Sequence, residues 1–554
     1  MEQKIKNWIK ETLEIEGDFI LAHPKDIKNG DYAFFSSLEN EKEVLEKLEK
    51  NKLAEIGKIE IAGKFINFYL SREFFSKNVE EILNGAENFG KNDLLFGKKI
   101  MVEYTDPNPF KPFHIGHLMT NAIGESIARI LEHSGAEVAR ANYQGDIGLH
   151  VAKAIYGLLE NDKLQSKAGS IALQAGNIGR AYSRGAELYE IDEKIKKEID
   201  EINKKVYDRS DNKINEIYKW GFDVTMEAFE DIYKMLGTKF DLYFLESMMA
   251  DIGKEIVGAN MGKVFEESDG AVVFKAEKQD PKLHTRVFIT SQGLPTYETK
   301  ELGLTTEKFK TEPSMDLSIT ITANEQMDYM RVVAKALSII HPDFENKMLH
   351  ITHGMMRFVG GKMSSRKGNV VTGESLLNDV RDTVLEKMTD RNFSPEEEEK
   401  IANDVGVSAI KYSILKQSIG GDIIYDFEKS ISFEGDSGPY LQYSYTRANS
   451  VLEKAQKENI LPDFENVPEE IFELEKMLYK FPEIVSRSSS LYEPHHIANY
   501  LIEIARSFNS FYGNTVIANK DDQLSPYKVA LTYAFSFVMK TGLHLLGIEA
   551  PRKM

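Results

Sequence analysis

Two short segments of this chain carry side chains that can handle a phosphate. The first is Pro109-Phe110-Lys111-Pro112-Phe113-His114-Ile115-Gly116-His117, two imidazoles three residues apart with a lysine just ahead. At the start of a helix the imidazoles share one face, and the free backbone N–H groups there favour an anion. Gly116 removes a side chain where a flat base could lie against the backbone. The second segment is Gly360-Gly361-Lys362-Met363-Ser364-Ser365-Arg366-Lys367-Gly368-Asn369, cationic, hydroxyl-rich and bracketed by glycines, as suits a loop that grips phosphate. Each alone has a plainer reading: packing for the histidines, a solvated basic turn for the loop.

The elements around them have to form a site. Lys98 to Tyr104 reads as a short buried strand, and Leu118 to His133 has apolar residues at helical spacing with Gly135 as a stop. Val138 to Tyr143 reads as the next strand, and Gln144 to Gly148 turns into another helix. Strand-like runs return at Ala271–Phe274, Arg286–Ile289 and Ser318–Ile321. Strands alternating with helices imply an α/β, doubly wound parallel sheet, whose ligand crevice lies at the carboxyl ends of the strands. Residues 151 to about 255 are helix-rich and densely charged, and read as insertions with solvated faces. Residues 1–90 read as a separate α+β module, with strands at 31–35, 59–61 and 64–70. From 438 to 554 the periodicity is helical throughout, so the expected division is 1–90, 91–437 and 438–554.

Composition narrows the classes. At 554 residues the chain needs several cores. Hydrophobic content of 42% and charged content of 28% are ordinary for a globular protein. The absence of cysteine excludes disulfides, thiol catalysis and thiolate metal sites. No apolar run reaches the length of a membrane span and the first residues are too polar for a signal peptide, so the expected location is cytoplasmic. The net charge of −19 weighs mildly against a nucleic-acid partner. If one binds, positive charge has to be concentrated locally and binding has to be salt-sensitive.

Together the two segments resemble the paired signatures of class I aminoacyl-tRNA synthetases. Further runs resemble arginyl-tRNA synthetases in particular, and in that family's order. They are Phe65-Ile66-Asn67-Phe68-Tyr69-Leu70, Val102 to Asn108, Leu294-Pro295-Thr296-Tyr297 through Leu302, Gly438-Pro439-Tyr440-Leu441-Gln442-Tyr443, Glu493-Pro494-His495, Phe508 to Tyr512, and the closing Leu546 to Met554. The resemblance implies a Rossmann-like catalytic domain between an N-terminal tRNA-binding module and an all-helical anticodon-binding domain. It implies ATP-dependent activation of L-arginine to the adenylate, then transfer to the 3′-terminal ribose of tRNA(Arg). It also implies Mg²⁺ carried by the nucleotide, no resident protein metal, and a monomer.

Residue by residue, the resemblance places Pro112, His114, Gly116, His117, Lys362 and Met363 at ATP, with Ser364 and Ser365 closing the mobile loop on pyrophosphate. Ser365 stands where the family usually has a second lysine, and Lys111 matches a lysine found when the loop is incomplete, so Lys111 is expected to supply the missing charge. Glu103, Thr105 and Asn108 would hold the amino-acid end of arginine, and Tyr297, Glu301 and Gln326 the rest. Glu301 departs from the family's usual aspartate. Phe65 and Asn67 would meet an unstacked tRNA base, while Tyr440, Tyr443, Tyr512 and Met554 would lie near the anticodon. A class I enzyme for cysteine or lysine, a catalytically silent relative and a smaller nucleotidyltransferase are the alternatives. The absence of cysteine or a metal-ligand cluster speaks against the cysteine enzyme, and the intact motifs against the silent relative. The flanking modules speak against the nucleotidyltransferase.

Overall fold

The computed structural model describes residues 1–35, 41–359, 371–388 and 393–554. Its N-terminal part holds α1 (Glu2–Leu13), α2 (Glu41–Lys50) and α3 (Arg72–Gly85) with an antiparallel sheet. The sheet comprises β1 (Leu21–Ala22), β2 (Tyr32–Phe35), β3 (Ile56–Ala62) and β4 (Phe65–Leu70), in the order β1-β2-β4-β3. Alternation along β4 sends Ile66, Phe68 and Leu70 into a core of their own, shared with Trp8, Tyr32 and Phe75. This module docks on the C-terminal helices. Tyr479 enters its core, Arg72 pairs with Glu475, and His23 and Tyr32 bond Glu483.

The central sheet is parallel throughout, in the order β12-β11-β5-β6-β7. Its strands are β5 (Lys99–Glu103), β6 (Glu137–Gln144), β7 (Leu242–Leu245), β11 (Leu317–Ala323) and β12 (Met348–His353). From β5 the chain winds outward one way through β6 and β7, and the other way through β11 and β12. The direction changes between β5 and β11, and the crevice of a doubly wound sheet opens there. Helix α4 (Ile115–His133) leads from β5 to β6 and is buried over most of its length. The helices α5 (Leu149–Glu160), α6 (Ile171–Ile191), α7 (Glu193–Asp208) and α8 (Asn212–Met235) form the insertion, around the core of Phe110, Val151, Ile155, Ile178 and Ile199. The chain rejoins the sheet at β7, earlier than the expected end of the insertion near 255; four residues are too short to show against helical surroundings.

Helix α9 (Glu246–Ala259) follows, then a small antiparallel sheet of β8 (Glu266–Ser268), β9 (Ala271–Phe274) and β10 (Arg286–Ile289). The last two were legible as strands, yet they pair outside the parallel sheet. Helices α10 (Tyr297–Thr311) and α11 (Met327–Ile340) flank β11. Beyond β12 come β13 (Met356–Phe358), α12 (Gly373–Lys387), α13 (Pro395–Leu415), β14 (Ile423–Tyr425) and α14 (Phe427–Ser430), with β13 and β14 paired in parallel. The remainder is helical: α15 (Gly438–Lys457), α16 (Glu473–Leu478), α17 (Phe481–Leu491), α18 (His495–Asn514) and α19 (Ser525–Leu545). Their core is continuous with that of α4 and α13, so no apolar break separates them from the sheet.

Helix α10 lies unusually close to α9. A Cβ on Gly303 would come within 2.3 Å of the Met249 carbonyl oxygen, and one on Gly253 within 2.0 Å of the Thr299 carbonyl oxygen. Only bare backbone permits that approach. Because α10 carries Tyr297 and Glu301, the contact also fixes the depth of those side chains. Gly303→Ala is expected to lower stability by about 1–3 kcal/mol, measured by denaturant unfolding.

Candidate active site

The loop between β5 and α4 is strained where it crosses the crevice. Thr105, Asp106 and Phe110 have φ of 80°, 46° and 68°, conformations that cost about 1–3 kcal/mol each without glycine. Side chains hold them there. The Asn121 amide donates to Thr105 Oγ1 at 3.0 Å, the Tyr143 N–H to Asp106 Oδ1 at 2.7 Å, and the Phe110 ring is buried in the insertion core. This geometry turns the chain twice, delivering Asn108 to the crevice and the histidines to the head of α4.

His114 is the N-cap of α4 and His117 its third residue. The rings stack, with centroids 3.4 Å apart and planes 25° apart, and the His114 N–H donates to His117 Nδ1 at 3.3 Å. A Cβ on Gly116 would lie 3.0 Å from the His114 ring, so the glycine makes room for the imidazole itself. Burial, His114 and Lys111 hold the His117 pKa well below its ordinary value. His114 retains solvent-accessible surface but is enclosed by protein; that enclosure first, and the Lys111 ammonium second, push it down as well. Both rings are therefore neutral hydrogen-bonding groups at neutral pH. Lys111 is half-buried, with its ammonium 5.4 Å from the centre of the Tyr182 ring on α6. It lines, with Pro112, Phe113, Arg180 and Thr372, a cavity of about 460 Å³. Lys362, Met363, Ser364 and Ser365 lie outside the described residues. The chain that follows them resumes at Val371, and the Gly373 N–H donates to the Phe113 carbonyl at 2.8 Å, so α12 starts beside the histidine segment.

The neighbouring wall of the crevice is acidic. Glu103, at the end of β5, is buried and pairs with the buried Lys308 ammonium at 2.6 Å. Glu301, 7% exposed on α10, has a buried Oε1 with no partner among the described residues. Its pKa is pushed up to about 8 by burial first and the Glu103 charge second, with Lys308 opposing. Burial and Glu103 raise Asp106 in the same way. Glu246, from the head of α9, is buried against Lys300. Four carboxyls thus face two ammoniums. Gln326 sits just past β11, its Oε1 accepting from the Tyr329 hydroxyl at 3.1 Å. Tyr297 is 72% exposed at the rim, with the Lys300 ammonium 5.3 Å from its ring centre. Asn108 Oδ1 fits against Gly145, where a Cβ would come within 2.0 Å of it.

The structure brings Glu103, Asn108, His114, His117, Glu301 and Gln326 to one end of the sheet, and gives Glu103 and Thr105 internal partners. Lys308, Lys300, Glu246 and Asp106 were missed in the sequence. Lys308 falls seven residues after Glu301, two helical turns along the same face, which was the available signal. Away from the crevice, Phe65 is 49% exposed and packs edge-on against Phe35, whereas Asn67 is buried within β4. Arg447 lies between the Tyr443 and Tyr512 rings, 4.7 and 4.9 Å from their centres. The Asn509 amide donates to the Tyr440 hydroxyl at 2.9 Å. Met554 packs on the cluster of Val384, Met388, Ile401 and Val405.

A model of the catalytic domain of class I (R) tRNA synthetases matches residues 78–427, and one of the DALR anticodon binding domain matches residues 441–554. The chain belongs to the class I arginyl-tRNA synthetase family. An arginine–tRNA ligase of Clostridium perfringens is 32% identical over 520 residues, 92% of this chain and 90% of the relative. One from Borrelia hermsii is 31% identical, over 89% and 86%. The fold matches the arginyl-tRNA synthetase of Thermus thermophilus with a TM-score of 0.81 at 23% identity, over the whole of both chains. The arginyl-tRNA synthetase fold thus accounts for the ligase architecture, a class I catalytic sheet followed by a helical anticodon domain. No helix among the described residues is long and apolar enough to cross a membrane.

A carboxyl raised by burial holds its proton more tightly folded than unfolded, so folding takes up a proton between its unfolded and folded pKa values. Stability from Glu301 therefore falls as pH rises from about 4.5 toward about 8. Glu301→Gln, without the charge, is expected to melt above the wild type at pH 8 and to converge with it toward pH 5, measured by calorimetry without ligands.

Proposed function

We propose that the crevice between β5 and β11 is where this ligase activates L-arginine with ATP before transferring it to tRNA(Arg). The observation that carries this is the surplus of buried carboxyls beside a pair of stacked neutral imidazoles. In the first step an arginine carboxylate oxygen attacks the α-phosphorus, the bond to the β-phosphate oxygen breaks, and pyrophosphate leaves. In the second a hydroxyl of the 3′-terminal ribose attacks the acyl carbon and AMP departs. Positioning and charge stabilisation supply most of the acceleration.

His114 and His117 act as hydrogen-bond donors to the phosphates, and Pro112 and Gly116 border the nucleotide. Lys111 supplies positive charge from the insertion side, complementing Lys362, Ser364 and Ser365, with Met363 at the base. The groups at the phosphate end are imidazoles and a lysine, so Mg²⁺ would be held by the nucleotide's phosphates and would share their charge. Glu301 is the carboxylate for the guanidinium, losing its proton when arginine arrives, and Tyr297 covers the rim. Burial first, and the Glu103 charge second, make Glu301 reluctant to ionise unaided, with Lys308 opposing. Thr105, Asn108 and Gln326 complete the amino-acid end. A lysine ammonium cannot match planar bidentate acceptors, so it leaves them unpaired and is rejected.

Residues 1–90 and 438–554 are assigned to tRNA, supported by the separate core of the first and the partly exposed aromatic–arginine stack of the second. Phe65 with Asn67, and Tyr440, Tyr443, Tyr512 and Met554, are the assigned contacts. Burial makes Asn67 a support for Phe65 rather than a stacking surface. The chain is assigned as a cytoplasmic monomer.

ATP–pyrophosphate exchange with each amino acid, with and without tRNA, tests the reading: exchange above background with arginine alone among the twenty is expected. Lys111→Ala is expected to lower the exchange rate by about 10²-fold, the cost of one preorganised charge donor. Full activity in that variant would remove Lys111 from the phosphate site.

A further inference from the structure

Glu493, His495 and His496 form a cluster outside the crevice, at the turn between α17 and α18. Their ligand-capable atoms all lie within 4.8 Å of one another. Glu493 Oε2 is 2.9 Å from His496 Nε2 and 3.9 Å from His495 Nε2. The two rings lie close together, centroids 4.1 Å apart and planes tilted by 38°, although consecutive helical residues normally diverge. The turn is fixed before any ligand arrives. Tyr492 adopts φ of 56° to end α17, the Glu493 N–H donates to the Ser488 carbonyl at 3.0 Å, and the Ser488 hydroxyl donates to the Glu493 carbonyl at 2.7 Å. Pro494 then sets the entry into α18.

His495 supplies the second observation. Its side chain is only 15% exposed, its Nδ1 is buried without a partner among the described residues, and its Nε2 is too far from Glu493 for a hydrogen bond. A polar ring held this way needs a reason. We propose that Glu493, His495 and His496 bind one divalent first-row transition-metal ion, Zn²⁺ foremost, through a carboxylate oxygen and two imidazole nitrogens. Tetrahedral zinc with bonds of about 2.0–2.1 Å to nitrogen and oxygen sets its ligand atoms about 3.3 Å apart. The observed 2.9 and 3.9 Å to Glu493 bracket that spacing, and all three ligand atoms lie within 4.8 Å of one another, so side-chain rotation within the cluster closes the site.

The ion would pin the end of α17 to the head of α18. Pro494, between the ligands, borders a small cavity with Ile123 of α4 and Ile414 of α13, so the pin stiffens the packing of the C-terminal helices on α4. The role is structural, since no ligand lies among the reacting groups.

The test uses full-length protein stripped with a chelator, with Co²⁺ as spectroscopic probe and Zn²⁺ as competitor. One Co²⁺ per chain with visible d–d absorption, displaced by Zn²⁺, and a Zn²⁺-dependent rise in melting temperature are expected. Glu493→Gln and His496→Gln are each expected to weaken binding by about tenfold or more and to abolish the rise, while melting like the wild type in chelator. Equal binding in wild type and both variants would mean an adventitious ion only. That result, or no Co²⁺ spectrum at all, would overturn the site.

Discussion

Glu103 and Glu301 are both buried in the crevice, the Lys308 ammonium is paired with Glu103, and much of the architecture serves to keep them so. Carboxylates do not stay buried unless something neutralises them. Here Glu103 takes the lysine and Glu301 takes a proton. We propose that a cationic substrate replaces that proton on binding. The close approach of α9 and α10 through Gly253 and Gly303 holds Glu301 at the depth where this works. The strained turn through Thr105 and Asp106 does the same from the side of β5.

Helix α4 joins this chemistry to the rest of the molecule. Its first turn carries the stacked imidazoles, and its far end grips the ends of two other helices. The Ser126 hydroxyl donates to the Leu545 carbonyl at 2.8 Å, and the Arg129 guanidinium to the His544 carbonyl at 3.0 Å and the Gly237 carbonyl at 2.7 Å. Lys411 on α13, fully buried, adds bonds to the Leu236 and Gly547 carbonyls at 2.6 and 2.7 Å. Cations at helix C-termini complement the exposed carbonyls and the dipole. The insertion, through α8, and the last helix, α19, are therefore both referenced to the helix that presents His114 and His117.

The acidic character of the chain has a local counterpart. With 88 acidic against 69 basic residues, generic attraction to a polyanion is weak. The basic groups that matter sit in defined surroundings: Lys111 against Tyr182, and Arg447 between two tyrosines. Positive charge held by aromatic faces is directional, and suits recognition better than bulk attraction.

Periodicity and turn chemistry in the sequence were enough for β5, α4 and β6, because a buried parallel strand and a largely buried helix both read as unbroken apolar patterns. The histidine pair was visible in its residue types and local spacing, whereas Glu103 and Glu301 were singled out only through the family resemblance. The short strand β7 was hidden by the charged helices before it, and β9 and β10 showed as strands without showing which sheet they join. Strand partnership is a long-range choice that local pattern does not encode. Lys308 and Glu246 escaped for the same reason: each is an ordinary charged residue on its own helix, and only the fold buries it against an opposite charge. His495 and His496 looked like a helix start, and only the turn through Tyr492 and Pro494 lays Glu493 across them. The sequence by itself determined which chemistry was on hand and in which class of fold. The tertiary structure alone decided which charges share a cavity, because desolvation and pairing depend on what else is packed within a few ångströms.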